Sequence, residues 1–558
     1  VGARANAQIE EFRTVISETW AMNANGRRSD RVQVLIVGAG PTGLVLALWL
    51  TKLGVAVRII DRTAEPGTTS RALAVTARTL ELYRQMGLAD ALVDGGHKVP
   101  GANFWVSGNR IARLPLERIG FGMTPFPFML IYPQDRHERL LVDRLSDVGV
   151  RVERRTELIR FDQNDQCVRA TLLRPDGSEE VCEATYIAGC DGARSKVRET
   201  LGTGFPGGTY HHLFYVADVN ASGTAANGEI HVDLDTTDFL AVFPLDNAGR
   251  VRLVGTVHES AIPDQRALSF EDVGKRVIEQ LELTVNHVNW FSTYHVHHRV
   301  AGQFRGGRAF LLGDAAHIHS PVGGQGMNTG IGDAINLSWK LASVLNGGAA
   351  EQVLDTYEKE RIGFARRLVA TTDQAFSLVS APGIIAQFVR TRVVPPVLGL
   401  LFRFEFTRRF MFRTVSQIAV TYRECPLNEG AAGSVAGGDR LPWVELDDQG
   451  SNFDPLTALD WQVHVYGEPQ DELPAACAEL GLPLHRFAWD PAMRGSGLMR
   501  GAVYLVRPDG YVALADPQGE PARLRAYFAK HGLPAVVRRD EASAGAGFSG
   551  WRASIRTS

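Results

Sequence analysis

The apolar run Val34-Leu35-Ile36-Val37 leads straight into Gly38-Ala39-Gly40-Pro41-Thr42-Gly43. Apolar residues then recur at helical spacing from Leu44 to Leu53, and a second β-like run, Val55 to Ile60, closes on Asp61. This order predicts a strand, a tight glycine turn, a helix and a second strand, which is one βαβ unit. In that setting Gly-x-Gly-x-x-Gly has a mechanical reading. Gly38 permits the turn, Gly40 lets the backbone approach a pyrophosphate, and Gly43 lets helix and strand pack closely. The helix start offers unpaired N–H groups and a positive dipole end to phosphates. Asp61 falls where an acid holds an adenosine ribose hydroxyl. The unit alone does not separate FAD from NAD(P).

Further along, the pattern changes several times. Leu82 to Leu88 continues a helix begun near Ser70-Arg71-Ala72. Arg71 has two readings, a contact to a phosphate or flavin edge and a solvated loop charge. Residues 100 to 128 are rich in Gly, Pro and aromatics and read as strands of a different domain. A helix starts around Ile131 to Leu141 and ends near Gly149. Val150 to Arg155 and Val168 to Leu173 read as strands, and Pro175-Asp176-Gly177 as the turn of a β pair. Tyr186 to Gly189 is an apolar strand ending at Cys190-Asp191-Gly192. Residues 206 to 304 alternate apolar and polar positions over short strands, with one helix from Phe270 to Leu281. In Tyr294-His295-Val296-His297-His298 the two-residue period puts His295 and His297 on one face, and no acid or cysteine nearby completes a metal site.

Gly307 to Leu312 then reads as a strand that turns at Gly313-Asp314-Ala315-Ala316-His317. Gly323-Gly324-Gln325-Gly326-Met327-Asn328 opens a long helix, Thr329 to Leu345. The glycines permit close backbone approach to a flat ligand, and the helix start faces whatever becomes negative there. Residues 351 to 425 are mostly helical, broken at Val393-Val394-Pro395-Pro396. Arg403, Arg408, Arg409 and Arg413 interleave with apolar residues. The preferred reading is a helix packed on the β layer with its arginines outward, rather than one lying on a membrane. Glu429 to Gly438 reads as a linker by composition. A small α/β module follows, with strands at Gln462 to Tyr466, Val503 to Val506 and Tyr511 to Ala515. Ile9, Phe12, Ile16 and Trp20 predict an amphipathic helix before the first strand, and Ser543 to Gly550 reads as a tail.

Composition narrows this reading. The 558 residues hold roughly three to four domains' worth of chain. A net charge of −3 gives no footprint for nucleic acid. Cys167, Cys182, Cys190, Cys425 and Cys477 are scattered, with no C-x-x-C, which suits a reducing cytoplasm better than a disulfide framework or a zinc site. No run approaches the ~18 apolar residues of a membrane span, and no signal-peptide pattern opens the sequence. A cytoplasmic location is expected.

Gly38 to Gly43, the Asp191-Gly192 segment, and Gly313-Asp314 with Ala315-Ala316-His317 and Pro321 occur in that order. Together they resemble the single-component FAD-dependent aromatic hydroxylases, the class A flavoprotein monooxygenases. The resemblance covers residues 32 to about 375. The C-terminal module is similar to the thioredoxin-like module of the phenol hydroxylase and aromatic polyketide hydroxylase branch. Simple phenol hydroxylases carry an aspartate near Leu73, and this chain has none, so their phenolate-forming base is not implied.

The resemblance implies an α/β fold with a Rossmann-like FAD-binding domain, an inserted β-sheet substrate domain and the C-terminal module. The implied boundaries are an extension at 1–30; FAD-binding parts at 31–106, 129–205 and 305–375; and substrate parts at 107–128 and 206–304. A helical cover at 376–428, a thioredoxin-like module at 438–540 and a tail at 541–558 complete the chain. Asp61 would serve the adenosine ribose, Gly38, Gly40 and Gly43 the pyrophosphate, and Arg62, Pro41 and Thr42 would also belong to the cofactor site. Arg71 and Gln134 would contact the flavin side, Asp191 would serve FAD and the NAD(P)H path, and Gly313 with Asp314 the ribityl chain. Pro321 and the amides of Gly324, Gln325, Gly326, Met327 and Asn328 would line the flavin ring. Tyr215, Phe239 and Phe243 are chosen as pocket liners from the face pattern.

The implied reaction uses non-covalent FAD, NADH or NADPH and O2, and hydroxylates a phenolic or polycyclic aromatic through a flavin C4a-hydroperoxide. Partners are then a small aromatic substrate and O2, with a homodimer allowed and neither nucleic acid nor a membrane span. Same-fold alternatives are a flavin dehydrogenase, reductase or epoxidase, and a flavin-free binding protein. The Trp-x-Trp-x-Ile segment of flavin halogenases is missing.

Overall fold

The computed structural model describes residues 31–67, 72–233, 239–246, 248–257, 268–273, 275–319, 324–380, 392–393, 397, 400–446 and 450–533, with side chains left aside at 31, 211–212 and 372–380. The expected helix at Ile9 to Trp20, Arg71, Pro321 and the tail from 541 lie outside these residues.

The run Val34 to Val37 is fully apolar because its strand is central and covered on both faces. Arg31–Val37 pairs in parallel with Val57–Asp61 on one side and with Glu179–Gly189 on the other. Ala309–Leu311 and Val152–Arg154 extend the parallel sheet outward. Val168–Leu173 and Glu157–Gln163 add an antiparallel flap to the long strand Glu179–Gly189. Pro41–Lys52 crosses from the first strand to the second, and Leu44, Val45, Leu46, Trp49 and Leu50 are buried beneath it. A long helix, Gly326–Leu345, packs beside it and carries Ile331, Ile335, Leu337 and Leu341 into the same core.

A second, eight-stranded sheet stands apart. Its order runs from His317–Ile318 through Leu283–Val300, Gly207–Gly223, Arg250–Val257, Leu240–Pro244 and Ile230–Asp233 to Gly101–Val106 and Asn109–Pro115. It begins at Gly101, before the expected boundary at 107, because Ala102 and Trp105 are already part of its core. The chain leaves the first sheet at Leu311, turns at Gly313–Ala315, and joins the second sheet at His317. The Gly313-Asp314 turn therefore sits at the seam between the sheets.

The third sheet belongs to the C-terminal module. Gln462–Tyr466 and Leu484–Phe487 are parallel across the helix Leu473–Glu479, and Val503–Val506 and Val512–Asp516 form an antiparallel hairpin. Glu429–Ala432 adds to this sheet in parallel with Val512–Asp516, and Val435–Ala436 folds back on it. The stretch read as a linker is thus β structure. Gly430, at φ +71°, and Gly433, at φ +66°, supply bends there rather than slack.

Buried charges join this module to the first domain. Arg507 donates to Glu360 at 2.6 Å and to Asp509 at 2.6 Å, and Lys340 donates to Glu360 at 2.8 Å. Arg440 reaches Glu81 at 2.8 Å, and Arg78 donates to the Asp509 carbonyl at 2.5 Å. Among the described residues no helix is long and apolar enough to cross a membrane.

Candidate functional site

The three glycines of the first turn have different surroundings. Gly38 has φ +102°, and a Cβ there would lie 2.3 Å from the Cys190 carbonyl oxygen. A Cβ on Gly43 would lie 2.0 Å from the Gly38 oxygen. Both are glycine because the chain packs on itself. Gly40 differs, since an added Cβ would meet no atom of the described residues within 4 Å. Gly40 is also the N-cap of the helix Pro41–Lys52, with no side chain capping it and Pro41 in the first turn. Open space lies over an uncapped helix start, the setting a pyrophosphate requires.

Asp61 ends the second strand beside this turn. One carboxylate oxygen accepts the Ala39 N–H at 2.7 Å, and the other accepts the Thr63 N–H at 2.7 Å. Its neighbour Arg62 is exposed. Asp191 backs the same turn from the adjacent strand, its Cα being 2.9 Å from the position of a Gly38 Cβ. Its Oδ2 accepts the Lys196 and Val197 N–H groups at 2.6 and 3.2 Å. Its Oδ1 is buried with no hydrogen-bond partner among the described residues. Burial raises its pKa, against the hydrogen bonds from Ser195, Val197 and Lys196. A buried carboxylate oxygen left without a donor is costly, which fits a donor arriving with a ligand.

The second half of the site is built from the seam. Gly313 has φ +58° and is buried, whereas Asp314 faces outward. The Gly313 N–H is held by Asp333 Oδ2 at 2.9 Å, and the same oxygen meets His317 Nε2 at 2.7 Å. Asp333 Oδ1 accepts from Arg361 Nε at 2.5 Å. Burial alone would raise the Asp333 pKa; Arg361 and His317 outweigh it and hold the carboxyl below its ordinary value. Asp333 is thus an anion fixed inside the protein that sets the backbone from which Asp314 projects. Sequence reading missed Asp333, His317 and Arg361 as a group. The available signal was an acid inside the apolar helix stretch Ile331 to Ile335, since a buried charge demands partners.

Thr42 connects the two halves. Its Oγ1 lies 2.7 Å from the position of a Gly313 Cβ and 2.3 Å from that of a Gly330 Cβ. The first turn of the Pro41 helix therefore packs directly on the Gly313 turn and on the helix Gly326–Leu345. That second helix also starts uncapped, with Gln325 at its N-cap. Gly324, at φ +62°, brings its backbone against Ala74, and among the described residues a Cβ on Gly326 would find only His319 at 3.7 Å. Met327 is half-buried. The Asn328 side chain is occupied within the protein. Its Oδ1 accepts from Thr76 N–H at 3.0 Å and Thr79 Oγ1 at 2.8 Å, and its Nδ2 donates to the Ala74 carbonyl at 2.8 Å. Gln134 is tied to Ala72 directly and to Gly67 through Glu138. It accepts the Ala72 N–H at 3.2 Å and donates to Glu138 at 2.8 Å, and Glu138 in turn accepts the Gly67 N–H.

The expected pocket liners are divided between the two faces of the second sheet. Tyr215 shares its face with Leu213, Ala217 and Val219, under Val277, Ile278 and Leu281. It stacks on Phe291 with ring centroids 6.2 Å apart. Phe239 and Phe243 lie on the other face. Phe239 joins Phe214 and Tyr294, and Phe243 joins Leu73, Ala74 and Ile131 next to the Gly324 backbone. Tyr215 is therefore an outer-core residue, placed by the two-residue period on the face away from the glycine helix. Among the described residues no group of three metal-ligating side chains occurs, and His297 is hydrogen-bonded to Thr209 at 2.7 Å.

The fold and the doubled helix start define a dinucleotide-binding α/β protein, and the comparisons fix its class. The FAD binding domain family matches residues 31–372. The chain is 35% identical to 6-methylpretetramide 4-monooxygenase of Streptomyces rimosus, over 94% of this chain and 97% of that one. It is 31% identical to pentachlorophenol 4-monooxygenase of Sphingobium chlorophenolicum, over 77% of this chain and 78% of that one. The structure of OxyS anhydrotetracycline hydroxylase from Streptomyces rimosus superposes with a TM-score of 0.73 at 29% identity, covering 90% of this chain and all of that one. The chain belongs to the FAD-dependent aromatic hydroxylases and is a FAD-dependent monooxygenase.

Proposed function

We propose that this protein hydroxylates a phenolic or polycyclic aromatic compound, with non-covalent FAD as cofactor, NADH or NADPH as electron donor and O2 as oxygen source. The observation that carries the reading is Thr42 packed between Gly313 and Gly330. It packs the first turn of the Pro41 helix on the Gly313 turn, which carries the outward Asp314, and on the helix that opens at Gly326. Bound FAD supplies reduction by the nicotinamide and activation of O2, which no side chain can provide.

The residues present fit that cofactor. Gly40 leaves room for the pyrophosphate, Asp61 and Arg62 stand at the adenosine end, and Asp314 offers an acceptor to the ribityl hydroxyls. The amides that open the helix at Gly324 to Asn328 would oppose the flavin ring as it gains negative charge. Arg71 and Gln134 would contact the flavin side, and Asp191 would receive a donor at its unpaired oxygen. Phe243, which shares a cluster with Ala74 beside Gly324, and Phe239 on the same sheet face would offer an apolar wall where a flat substrate would be held and water excluded. We read the C-terminal βαβ-hairpin-helix module as thioredoxin-like in fold only. Cys477 has no second cysteine beside it, and burial pushes its thiol up to about 11.

Anaerobic mixing of the yellow holoprotein with NADH and with NADPH, with and without aromatic compounds, tests this reading. Bleaching of the flavin band that is accelerated by an aromatic supports it. Protein that takes up no FAD, or flavin that neither nucleotide reduces, overturns it.

A further inference from the structure

The helix Glu405–Val415 is apolar on two opposite faces. Its inner face is accounted for. Phe412 is buried against Gly120, and Met411, with Phe402 just before the helix, packs toward Phe104 and Phe243. Its outer face is left exposed among the described residues. Phe406 is 81% exposed, Phe410 64%, Phe404 56% and Leu400 55%, with Phe121 from a neighbouring loop at 57%. Phe406, Arg409, Phe410 and Arg413 follow the i, i+3, i+4, i+7 spacing and so share one side. The expectation of arginines outward and apolar residues inward is therefore only half met. The aromatics point to solvent together with the arginines.

Scattered exposed leucines need no explanation, but a contiguous group of phenylalanines does. The charge around this group selects among occupants. Arg118, Arg403, Arg409 and Arg413 stand there against Glu117 and Glu405, on a chain whose net charge is −3, while Arg408 turns away and donates to the Phe402 carbonyl at 3.1 Å. Arg118 lies over the Phe121 ring at 4.3 Å, and Arg409 pairs with Glu405 at 3.5 Å. A second copy seated on this face by two-fold symmetry would press arginine against arginine. An anionic bilayer supplies what both residue types lack, an apolar phase for the rings and phosphates for the guanidinium groups.

We propose that this face docks on an anionic lipid surface. Phe404, Phe406 and Phe410 enter the headgroup boundary, and Arg403, Arg409 and Arg413 pair with lipid phosphate. The inner face of the same element meets Phe104 and Phe243, so one short element would separate the lipid from the substrate face. That consequence, collection of an apolar aromatic from the bilayer, rests on the function proposed above; the docking itself does not.

The test is sedimentation of the FAD-loaded full chain with vesicles of phosphatidylcholine alone and of phosphatidylcholine containing one part in three of phosphatidylglycerol. Binding should require phosphatidylglycerol and weaken as salt is raised. Phe406→Ser with Phe410→Ser should weaken it by about tenfold or more, and Arg409→Glu with Arg413→Glu should abolish the preference for phosphatidylglycerol. These residues lie on the surface, so both variants should keep wild-type melting and wild-type turnover of a water-soluble aromatic. Failure of wild type to sediment with either vesicle overturns the proposal, as does unchanged binding of the phenylalanine variant. A dimer seen by light scattering that the same variant dissolves, without vesicle binding, assigns the face to a second copy instead. Vesicle binding is read without turnover, so its outcome is separate from that of the hydroxylation reading.

Discussion

A methyl group added at Gly40 meets nothing among the described residues, whereas one added at Gly38 or Gly43 strikes backbone at 2.3 or 2.0 Å. Substitution should separate the two reasons for glycine. Gly40→Ala should leave apoprotein stability within about 1 kcal/mol of wild type and lower FAD affinity about tenfold or more, read by flavin fluorescence titration. Full affinity in that variant would remove the pyrophosphate from this turn. The acids at the seam divide in the same way. Asp314→Ala removes an outward acceptor, so FAD affinity should fall about ten- to a hundredfold, equivalent to roughly 1.5–3 kcal/mol, with a smaller loss in urea denaturation of the apoprotein than a buried acid would give. Asp333→Asn leaves Arg361 buried beside a neutral partner and should cost about 3–5 kcal/mol of stability, with FAD affinity falling as a consequence. Equal behaviour of the two variants would contradict this division between a ligand-facing acid and a buried structural one. The Gly313-Asp314 turn was legible because its neighbours in sequence are its neighbours in space. Arg361 was not, because its partnership with Asp333 is made by two helices meeting in the fold. Tyr215 shows a related limit: a two-residue period sorts side chains onto two faces but does not say which face meets the rest of the molecule.

Elements marked by local punctuation were read closely. The helix expected at Thr329 to Leu345 runs Gly326–Leu345, and the strand Val168–Leu173 appears as expected. Glu429 to Gly438 was misread because composition reports bends and not partners. Its partners, Leu514 and Ala515, arrive from the far end of the module. The hairpin that holds them also carries Arg507 and Asp509 into a buried charge cluster with Glu360 and Lys340. Burial would raise the Glu360 pKa, but Arg507 and Lys340 hold it far below the carboxylate range. Arg507→Leu should therefore cost about 3–5 kcal/mol in denaturant unfolding of the full chain. The module and the first domain should loosen together, because the ion pairs join them. Loss confined to the module's own transition would show that the junction is not coupled in this way.

At the scale of the whole molecule, stability should fall on the acid side before carboxylates titrate. Burial holds the neutral form of His137, at about 4, and of His464, at about 3 with His485 adding to the effect. Both values lie below that of an unfolded histidine, near 6.5, so between those limits the unfolded chain binds more protons. Stability is then complete above about pH 6.5 and declines as pH falls, by up to roughly 2 kcal/mol per histidine at pH 5. His137→Phe or His464→Phe should flatten part of that slope in urea melts, and an unchanged slope in both would contradict it. The two glycine-opened helix starts were readable because each is a local motif; that the first packs against the Gly313 turn and the second helix emerged only from the contacts of Thr42. The measurement that bears most directly on the central claim is single-enzyme turnover under isotopically heavy dioxygen. FAD, NADH or NADPH and a panel of phenolic and polycyclic aromatics would be supplied, with product mass and hydrogen peroxide quantified together. The account predicts a hydroxylated product carrying one heavy oxygen atom, with peroxide the minor fate of the nucleotide's electrons. Nucleotide oxidation by the FAD-loaded protein that ends wholly in peroxide for every aromatic, or a product whose new oxygen comes from water, would contradict it.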